Sequence, residues 1–165
     1  MALDALNLYG ALSIALVIPD ICGSLEDPGP NKSRKRYTAW VDKWVIPNLP
    51  VMPGDDKPLI SAADYFQLRC SLIHSGSAEI PVRKDSNLRE FIFCDRTVGS
   101  HMLRVTGSGV ARIQLVVDLF CADLFWAAHQ WDLSVADNQA IQAEKEKLLV
   151  IHSGSVNIDG IVLIE

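Results

Sequence analysis

An apolar stretch near the N-terminus constrains the fold more than any other feature of the chain. Residues from about 3 to 25 are apolar around most of the helical circumference, which is typical of a helix buried in a protein core. Pro19 removes one backbone donor and is expected to kink the last turns, and Gly23 is expected to help end them. The apolar run over residues 8–18 stops before Pro19 and Asp20, so we predict that it is too short to span a bilayer.

Composition and charge limit the function classes. The chain has 165 residues, enough for one domain with a sizeable core. Hydrophobic residues make up 49% and charged residues 21%, which is more apolar than a solvated monomer requires, so we expect a buried homodimer interface. The formal net charge of -5 argues against broad, non-specific binding of nucleic acid, although a small RNA site on a local basic patch is compatible with it.

The cysteines and the N-terminus indicate the compartment. The four cysteines lie far apart without a Cys-x-x-Cys pair, which indicates free thiols in a reducing compartment and neither a zinc site nor a disulfide framework. The N-terminus lacks the basic start of a signal peptide and carries Asp4 instead. We therefore expect a soluble, cytoplasmic protein that has no membrane partner.

Turn and helix signals predict a single domain, residues 1–165, of the mainly α (α+β) class. The expected architecture is a bundle of about five helices with a small antiparallel sheet. An N-terminal helical part covers residues from about 1 to 77, strands follow from about 79 to 106, and C-terminal helices with a final strand cover residues 110–165.

Local signals place the individual elements. In the N-terminal part we predict a helix over residues 34–45 and a third helix between an N-cap at Ser61 and a C-terminal cap at Gly76. The later elements follow in chain order: strands over 79–83, 88–95 and 102–106, the last two as a hairpin through Gly99; a flexible entry at 107–109; helices over 110–133 and 134–151; and a final strand over 156–164.

Arg69 and His74 lie five positions apart near the predicted C-terminal end of the third helix. An arginine stays protonated and offers a planar fork of donors to phosphate oxygens. A histidine can take a proton from a ribose 2′-hydroxyl and return one to the leaving group. Since no cluster of histidines and carboxylates with metal-ligand spacing occurs elsewhere in the sequence, the pair predicts a site with no metal and no other cofactor.

The spacing also restricts how the two side chains meet. Residues five apart on a helix point about 140° away from one another. Arg69 and His74 are therefore expected to converge only in a broad cleft or across a dimer axis. Ser71 and Asp20 are candidates to orient them, and we predict that Asp20, an acid inside an apolar helix, pairs with Arg69.

The Arg-x-x-x-x-His motif of Arg69 and His74, near the end of a helix in an α-bundle, resembles the HEPN superfamily. The resemblance implies a metal-independent ribonuclease whose site forms at a homodimer interface, and a place in a bacterial toxin or defence system. The chain departs from the family pattern at Cys70, where catalytic members usually carry Asn, Asp or His.

A longer pattern is similar to an uncharacterised bacterial family that carries no known activity. It covers most of the N-terminal half of the chain. The matching segments are Ile18-Pro19-Asp20-Ile21-Cys22, Tyr37-x-x-Trp40-x-Asp42, Leu68-Arg69-Cys70-Ser71-Leu72 and His74-x-Gly76-Ser77.

Structural roles compete with the catalytic interpretation of Arg69 and His74. An ion pair inside the bundle with Asp20, Asp42 or Asp64 would satisfy the arginine. A histidine near a helix C-terminus interacts favourably with the last carbonyls in any protein.

The segment Ile-His-Ser-Gly-Ser occurs a second time, at residues 151–155, and there Lys147 stands where the first copy has Arg69. Lysine cannot reproduce the guanidinium fork, so the second copy is a poor catalytic candidate. The repetition indicates a helix terminator, and the part specific to function is the arginine ahead of His74.

Two further groups of residues have competing interpretations. The basic run of Lys32, Arg34, Lys35 and Arg36 is either a solvated helix start or a candidate RNA-binding run. Cys70, one turn before His74, has the spacing of a thiolate–imidazole pair, but a structural cysteine is favoured because no third orienting group is identifiable. His101 and His129 are interpreted as isolated histidines.

Two hypotheses result. The leading one is a HEPN-like cytoplasmic homodimer that binds or cleaves RNA, with His74 as general base and acid and Arg69 holding the phosphate. The alternative, favoured by the acidic net charge and by Cys70, is a non-catalytic dimerising module that binds a protein partner.

Overall fold

The structure is a computed structural model that describes residues 7–30, 32–81, 88–107 and 110–149, with the backbone alone of residues 156–158 and 161–163. Within these residues the predicted mainly α, α+β class is confirmed. The helices are α1 (Leu8–Glu26), α2 (Ser33–Trp44), α3 (Ala62–Ser75), α4 (Val117–Ser134) and α5 (Gln139–Lys145). The strands are β1 (Leu88–Cys94), β2 (Leu103–Gly107), β3 (Val110–Val116), β4 (Val156–Ile158) and β5 (Ile161–Leu163).

Helix α1 lies against α2, α3, α4 and α5 and forms the centre of the helical layer. Pro19 lies inside this helix, which continues to Glu26. Gly23, which was expected to help end the helix, also lies within it. A Cβ atom at Gly23 would lie 3.1 Å from the backbone oxygen of Arg36, so the absence of a side chain allows α2 to approach closely.

The length of α1 bears on membrane association. The prediction that its apolar run is too short for a bilayer is wrong, because the helix continues through Pro19 and its 19 residues are long and apolar enough to span one. It is the one such helix in the part of the chain that the structure describes, and 44% of the span is buried inside the protein. Core helices of soluble proteins share these properties, so α1 does not by itself mark a membrane protein.

Aromatic side chains join α3 to its neighbours. Tyr65 of α3 stacks on Phe120 of α4 with ring centroids 5.3 Å apart, and Phe66 of α3 meets Tyr37 of α2 edge-on at 5.5 Å. Tyr37, Tyr65 and Phe120 are fully buried. These contacts hold α3, which carries the candidate site, in a fixed position.

Both ends of α3 follow their sequence signals. The Ser61 hydroxyl accepts a hydrogen bond from the Asp64 N–H at 3.2 Å, and the Asp64 carboxylate accepts one from the Ser61 N–H at 3.0 Å, forming a capping box. At the other end Gly76 adopts a left-handed conformation with φ of 63°, and its N–H donates to the Leu72 carbonyl at 2.9 Å. The predicted caps of the third helix are confirmed.

The three-stranded sheet is mixed and has the order β1-β3-β2. Strand β3 pairs parallel with β1 and antiparallel with β2. The predicted antiparallel sheet, with a hairpin through Gly99, is therefore wrong, because β3 separates the two strands that we expected to pair. Of the strand predicted over residues 79–83, the structure shows an isolated bridge between Glu79 and Glu90.

The sequence prediction fails at β3 because its apolar residues also fit a helical period. Residues 110–116 were expected to open the long helix, but α4 begins at Val117, and Gly107 ends β2 rather than introducing a helix. Hydrogen bonding to a neighbour on each edge favours the extended conformation for a segment rich in valine and isoleucine. Tertiary pairing thus overrides the local helical pattern.

The C-terminal elements are shorter than predicted. Instead of a helix over residues 134–151, α5 covers Gln139–Lys145, because a turn at residues 135–137 intervenes and the Asn138 side chain caps α5 by accepting from the Ile141 N–H at 3.2 Å. The predicted final strand over 156–164 is a hairpin of β4 and β5. The second Ile-His-Ser-Gly-Ser copy at residues 151–155 lies outside the described residues.

Candidate site at the end of helix α3

The C-terminal half of α3 presents Arg69 and His74 next to α1. Arg69 has 20% of its side chain exposed, whereas His74 in the last turn is exposed to solvent. The helix ends directly after them, where the Ser77 N–H donates to the Ser71 carbonyl at 3.2 Å. Ser71 was a candidate to orient the pair. Its contribution is through its backbone carbonyl, which accepts a hydrogen bond at the end of α3.

Asp20 of α1 binds Arg69 in a largely buried ion pair. The Arg69 Nε donates to Asp20 Oδ2 at 2.7 Å, and only 19% of the Asp20 side chain is exposed. The second oxygen, Oδ1, accepts a hydrogen bond from the Ser33 hydroxyl at 3.2 Å. The predicted pairing of Asp20 with Arg69 is confirmed, while Asp64, an alternative partner, is held in the N-terminal cap of α3.

Arg69 also approaches His74 within the same chain. Its Nη1 lies 3.5 Å from His74 Nε2, at the outer limit of a hydrogen bond. Because a guanidinium has no acceptor, Nε2 is the acceptor in this contact and a neutral His74 ring carries its proton on Nδ1. The expectation that the two residues need a cleft or a dimer axis to converge is therefore corrected, since the long arginine side chain spans their angular separation.

The charge of Asp20 favours the protonated form of Arg69. Burial lowers the pKa of the Arg69 guanidinium, but the charge and hydrogen bond of Asp20, together with Cys70, outweigh burial and raise that pKa overall. Burial, followed by the charge of Asp20, raises the pKa of Tyr37 well above its ordinary value, and the Tyr37 hydroxyl donates to the Leu16 carbonyl at 3.2 Å. Arg69 is thus a permanent cation beside a neutral, buried tyrosine.

Cys70 is half-buried, follows Arg69 directly in α3, and is one of the groups that raise the pKa of the Arg69 guanidinium. It occupies the position at which the polar residue of the HEPN pattern would stand.

The basic run at the start of α2 adjoins the site. The Arg34 guanidinium carbon lies 5.9 Å from the centre of the Phe66 ring, a cation–π distance. Phe66 precedes Arg69 by three residues on α3, so the two residues share a helix face. Arg34 therefore lies beside the face of α3 that carries Phe66 and Arg69, and the Arg69 side chain reaches His74 from that face.

The members of the basic run have different roles. Arg36 Nη1 donates to the carbonyl oxygens of Asp27 at 3.1 Å and Gly29 at 2.8 Å, so Arg36 closes the connection between α1 and α2. Lys32 pairs with Asp27 at 2.8 Å. Arg34 and Lys35 are exposed and remain the members best placed to meet a ligand.

His101 forms a polar contact that sequence reasoning missed. Its Nδ1 accepts a hydrogen bond from the Val116 N–H at 3.0 Å, where β3 meets α4, and its Nε2 lies 3.6 Å from Asp123 Oδ2. With Nδ1 accepting, a neutral ring carries its proton on Nε2 and directs it toward Asp123. No sequence spacing signals this contact, because it depends on residues 110–116 forming a strand.

The described residues offer few other features that could hold a ligand. They contain no group of three or more His, Cys, Asp or Glu side chains placed to hold a metal ion. A cavity of about 610 Å³ beside the N-terminus of α3 is lined by residues that include Arg34, Asp42 and Lys57, whereas His74 lies on the open surface at the other end of the helix.

Comparisons of the chain with protein-family models, with curated proteins and with solved structures found no match.

Proposed function

We propose that the chain is a HEPN-like RNA-binding protein and metal-independent endoribonuclease, acting as a homodimer in the cytoplasm of a bacterium as part of a defence or toxin system. One observation carries the proposal: Arg69 lies 3.5 Å from His74 through Nη1 while Asp20 holds its Nε at 2.7 Å. A fixed cation next to a group that transfers protons is the minimum that phosphodiester cleavage without a metal requires.

The proposed reaction is an internal transesterification of RNA. RNA binding separates His74 Nε2 from Arg69 Nη1, and Nε2 then removes the proton from a ribose 2′-hydroxyl as the 2′-oxygen forms a bond to phosphorus. Arg69 uses N–H groups that are not bonded to Asp20 to stabilise the charge on the non-bridging oxygens. The bond from phosphorus to the 5′-oxygen then breaks and His74 returns the proton to that oxygen, leaving a 2′,3′-cyclic phosphate and a 5′-hydroxyl.

The neighbouring cations support RNA as the substrate. Arg34 over Phe66, together with exposed Lys35, extends the positive surface from Arg69 along α3 and the start of α2. Such a row can follow a phosphate backbone even though the whole chain is acidic. The local arrangement accounts for an RNA site in a protein with a net charge of -5.

Cleavage of single-stranded RNA in the presence of EDTA tests the proposal. We expect the full chain to cleave, and Arg69→Ala and His74→Ala each to reduce the rate by at least about 100-fold, since each removes a group that acts in the transition state. Arg69→Lys keeps the charge without the fork and should give an intermediate rate.

His129→Ala is the matched control, because His129 is also exposed and also lies on a helix. It should cleave like the unmodified chain. Equal rates for the unmodified chain and the His74→Ala variant, or cleavage that depends on a divalent metal, would contradict the proposal.

A non-catalytic dimerising module is the second candidate function. It is favoured by the depth of the Arg69–Asp20 ion pair, of which about four-fifths of each side chain is buried, and by the thiol of Cys70 in place of a polar group. It predicts a folded dimer that shows no cleavage and no RNA binding above that of the Arg34→Ala variant.

A further inference from the structure

A cavity of about 610 Å³ lies between α2 and the segment that leads into α3, and we call it the α2–α3 cavity. Arg34, Thr38 and Asp42 line it from α2, and their spacing of four residues places them on one face of that helix. Lys57 lines it from the segment before α3. Much of the remaining lining is apolar and comes from Pro58, Leu59, Ala62 and Ala63. A cavity of this size with an apolar lining and a few polar groups is typical of a small-ligand site.

The charged groups of the α2–α3 cavity are not matched to one another. Neither Asp42 nor Lys57 has an ion pair or a side-chain hydrogen bond within the described part of the chain, and the Arg34 guanidinium lies over an aromatic ring. Asp64 also lines the cavity, but its carboxylate is held in the capping box of α3. Burial raises the pKa of the Asp42 carboxyl, and no cation offsets that shift. An unpaired carboxylate and two unpaired cations favour a ligand that carries both N–H donors and a phosphate.

The Arg34 end of the cavity adjoins the candidate catalytic site. The Arg34 guanidinium carbon lies 5.9 Å from the centre of the Phe66 ring, and Phe66 is three residues before Arg69 on α3. The hydroxyl of Ser33, which precedes Arg34 on α2, donates to Asp20 Oδ1 at 3.2 Å, while Oδ2 accepts from Arg69 Nε at 2.7 Å. An RNA strand with a phosphate at Arg69 therefore brings a neighbouring nucleotide to the cavity.

We infer that the α2–α3 cavity binds a guanine base of the RNA beside the phosphate that is cleaved, with Asp42 as the residue that selects guanine. An ionised carboxylate only accepts hydrogen bonds. Guanine offers it two neighbouring donors, N1–H and the N2 amino group, whereas adenine and cytosine offer one amino group and uracil offers one ring N–H. Two parallel hydrogen bonds to one carboxylate are stronger and more specific than one, and bases of single-stranded RNA are recognised on this edge.

The other lining groups suit the rest of a guanine nucleotide. Lys57 supplies a donor for O6, the acceptor next to N1. Pro58 and Leu59 supply apolar contacts for the face of the base. Arg34 lies about 12 Å from Asp42 along the axis of α2, so it meets the phosphate of the nucleotide while Asp42 meets the base. The inference rests on the proposed function, because it assigns a base preference to that ribonuclease.

Calorimetric titration of the full chain with guanosine 5′-monophosphate and, separately, with adenosine 5′-monophosphate tests the inference without any cleavage. We expect the guanine nucleotide to bind at least about tenfold more tightly. Asp42→Asn should lower its affinity by at least about tenfold and remove the preference, because the amide keeps only one acceptor oxygen. Arg34→Ala should weaken both nucleotides alike, since it removes a phosphate contact.

Asp137→Asn is the matched control, because it removes an exposed carboxylate outside the cavity, and it should change neither affinity. Equal affinities for the two nucleotides, no binding of either at millimolar concentration, or an Asp42→Asn variant that keeps the preference would each overturn the inference.

Cleavage of a single-stranded RNA of mixed sequence in EDTA gives a second readout. The cuts made by the unmodified chain should lie at one fixed position relative to guanine, and Asp42→Asn should cut those sites at least about tenfold more slowly. Cuts that ignore guanine would overturn the inference and leave the proposed ribonuclease intact. Selective binding of the guanine nucleotide by a chain that cleaves no RNA would instead support the guanine site and overturn the ribonuclease, so the two failures are distinguishable.

Discussion

His74 and His101 both lie near a charged side chain, but their nitrogens are held differently. His74 is exposed in the last turn of α3, and its Nε2 faces the Arg69 guanidinium at 3.5 Å. In His101, Nδ1 accepts a backbone hydrogen bond at 3.0 Å and Nε2 lies 3.6 Å from a carboxylate. The first arrangement leaves a ring that a substrate can reach, whereas the second uses the ring to join the sheet to α4.

The groups that hold the two histidine sites in place also differ. Asp20 holds Arg69, so that the cation stays in place while His74 remains open to solvent. Around His101 the backbone itself is the partner. Proximity of a histidine to a charge is therefore a weak sign of a site unless the ring is also exposed to a substrate.

The largest change in stability is expected for Asp20→Ala. The substitution leaves the Arg69 guanidinium, which is four-fifths buried, without its carboxylate, and we expect the free energy of unfolding to fall by about 2 kcal/mol. Chemical denaturation measures it. Asp27→Ala, which removes the exposed pair with Lys32, is the control and should lower the free energy of unfolding much less than Asp20→Ala does. Equal costs would show that Asp20 does not anchor the site.

A smaller loss is expected for His101→Ala, because the Val116 N–H at the start of α4 loses its acceptor. We expect the free energy of unfolding to fall by about 1–2 kcal/mol. His74→Ala, measured by the same denaturation, should change it by less than about 0.5 kcal/mol, since His74 is exposed. The reverse order would contradict the assignment of a structural role to His101 and an open one to His74.

The smallest effect is expected in RNA binding. Arg34→Ala and Lys35→Ala should each reduce the slope of log affinity against log salt by about one, because each removes one phosphate contact. Fluorescence anisotropy with a labelled single-stranded RNA measures the slope. Lys43→Ala, at the other end of α2, is the control and should leave the slope unchanged. An unchanged slope in all three variants would remove the basic run from the site.

Much of the helical layer was predictable because its signals are local. Ser61, Asp64 and Gly76 mark the ends of α3 through caps that involve only neighbouring residues. The burial of α1 followed from its apolar circumference. The role of Gly23 could not be predicted from local signals, because Gly23 allows the close approach of α2 and does not end its own helix.

The sheet was predicted poorly because its central strand is defined by partners distant in sequence. Residues 110–116 carry apolar residues that suit a helix or a strand, and only pairing with β1 and β2 decides between them. The contact of His101 with Val116 depends on that strand and was missed for the same reason. In the candidate site, the pairing of Asp20 with Arg69 was predictable, since a buried acid requires a cation. The contact of Arg69 with His74 within one chain was not predicted, because it depends on the length and conformation of the arginine side chain.

A double-mutant cycle on RNA cleavage in EDTA tests the central claim most directly, namely that Arg69 and His74 act as one catalytic unit. The rates of the unmodified chain, Arg69→Ala, His74→Ala and the double variant are compared. We expect the double variant to be no more than a few-fold slower than either single variant, because groups that act together are strongly non-additive. Losses that multiply in the double variant, or single variants that cleave at the unmodified rate, would contradict the account.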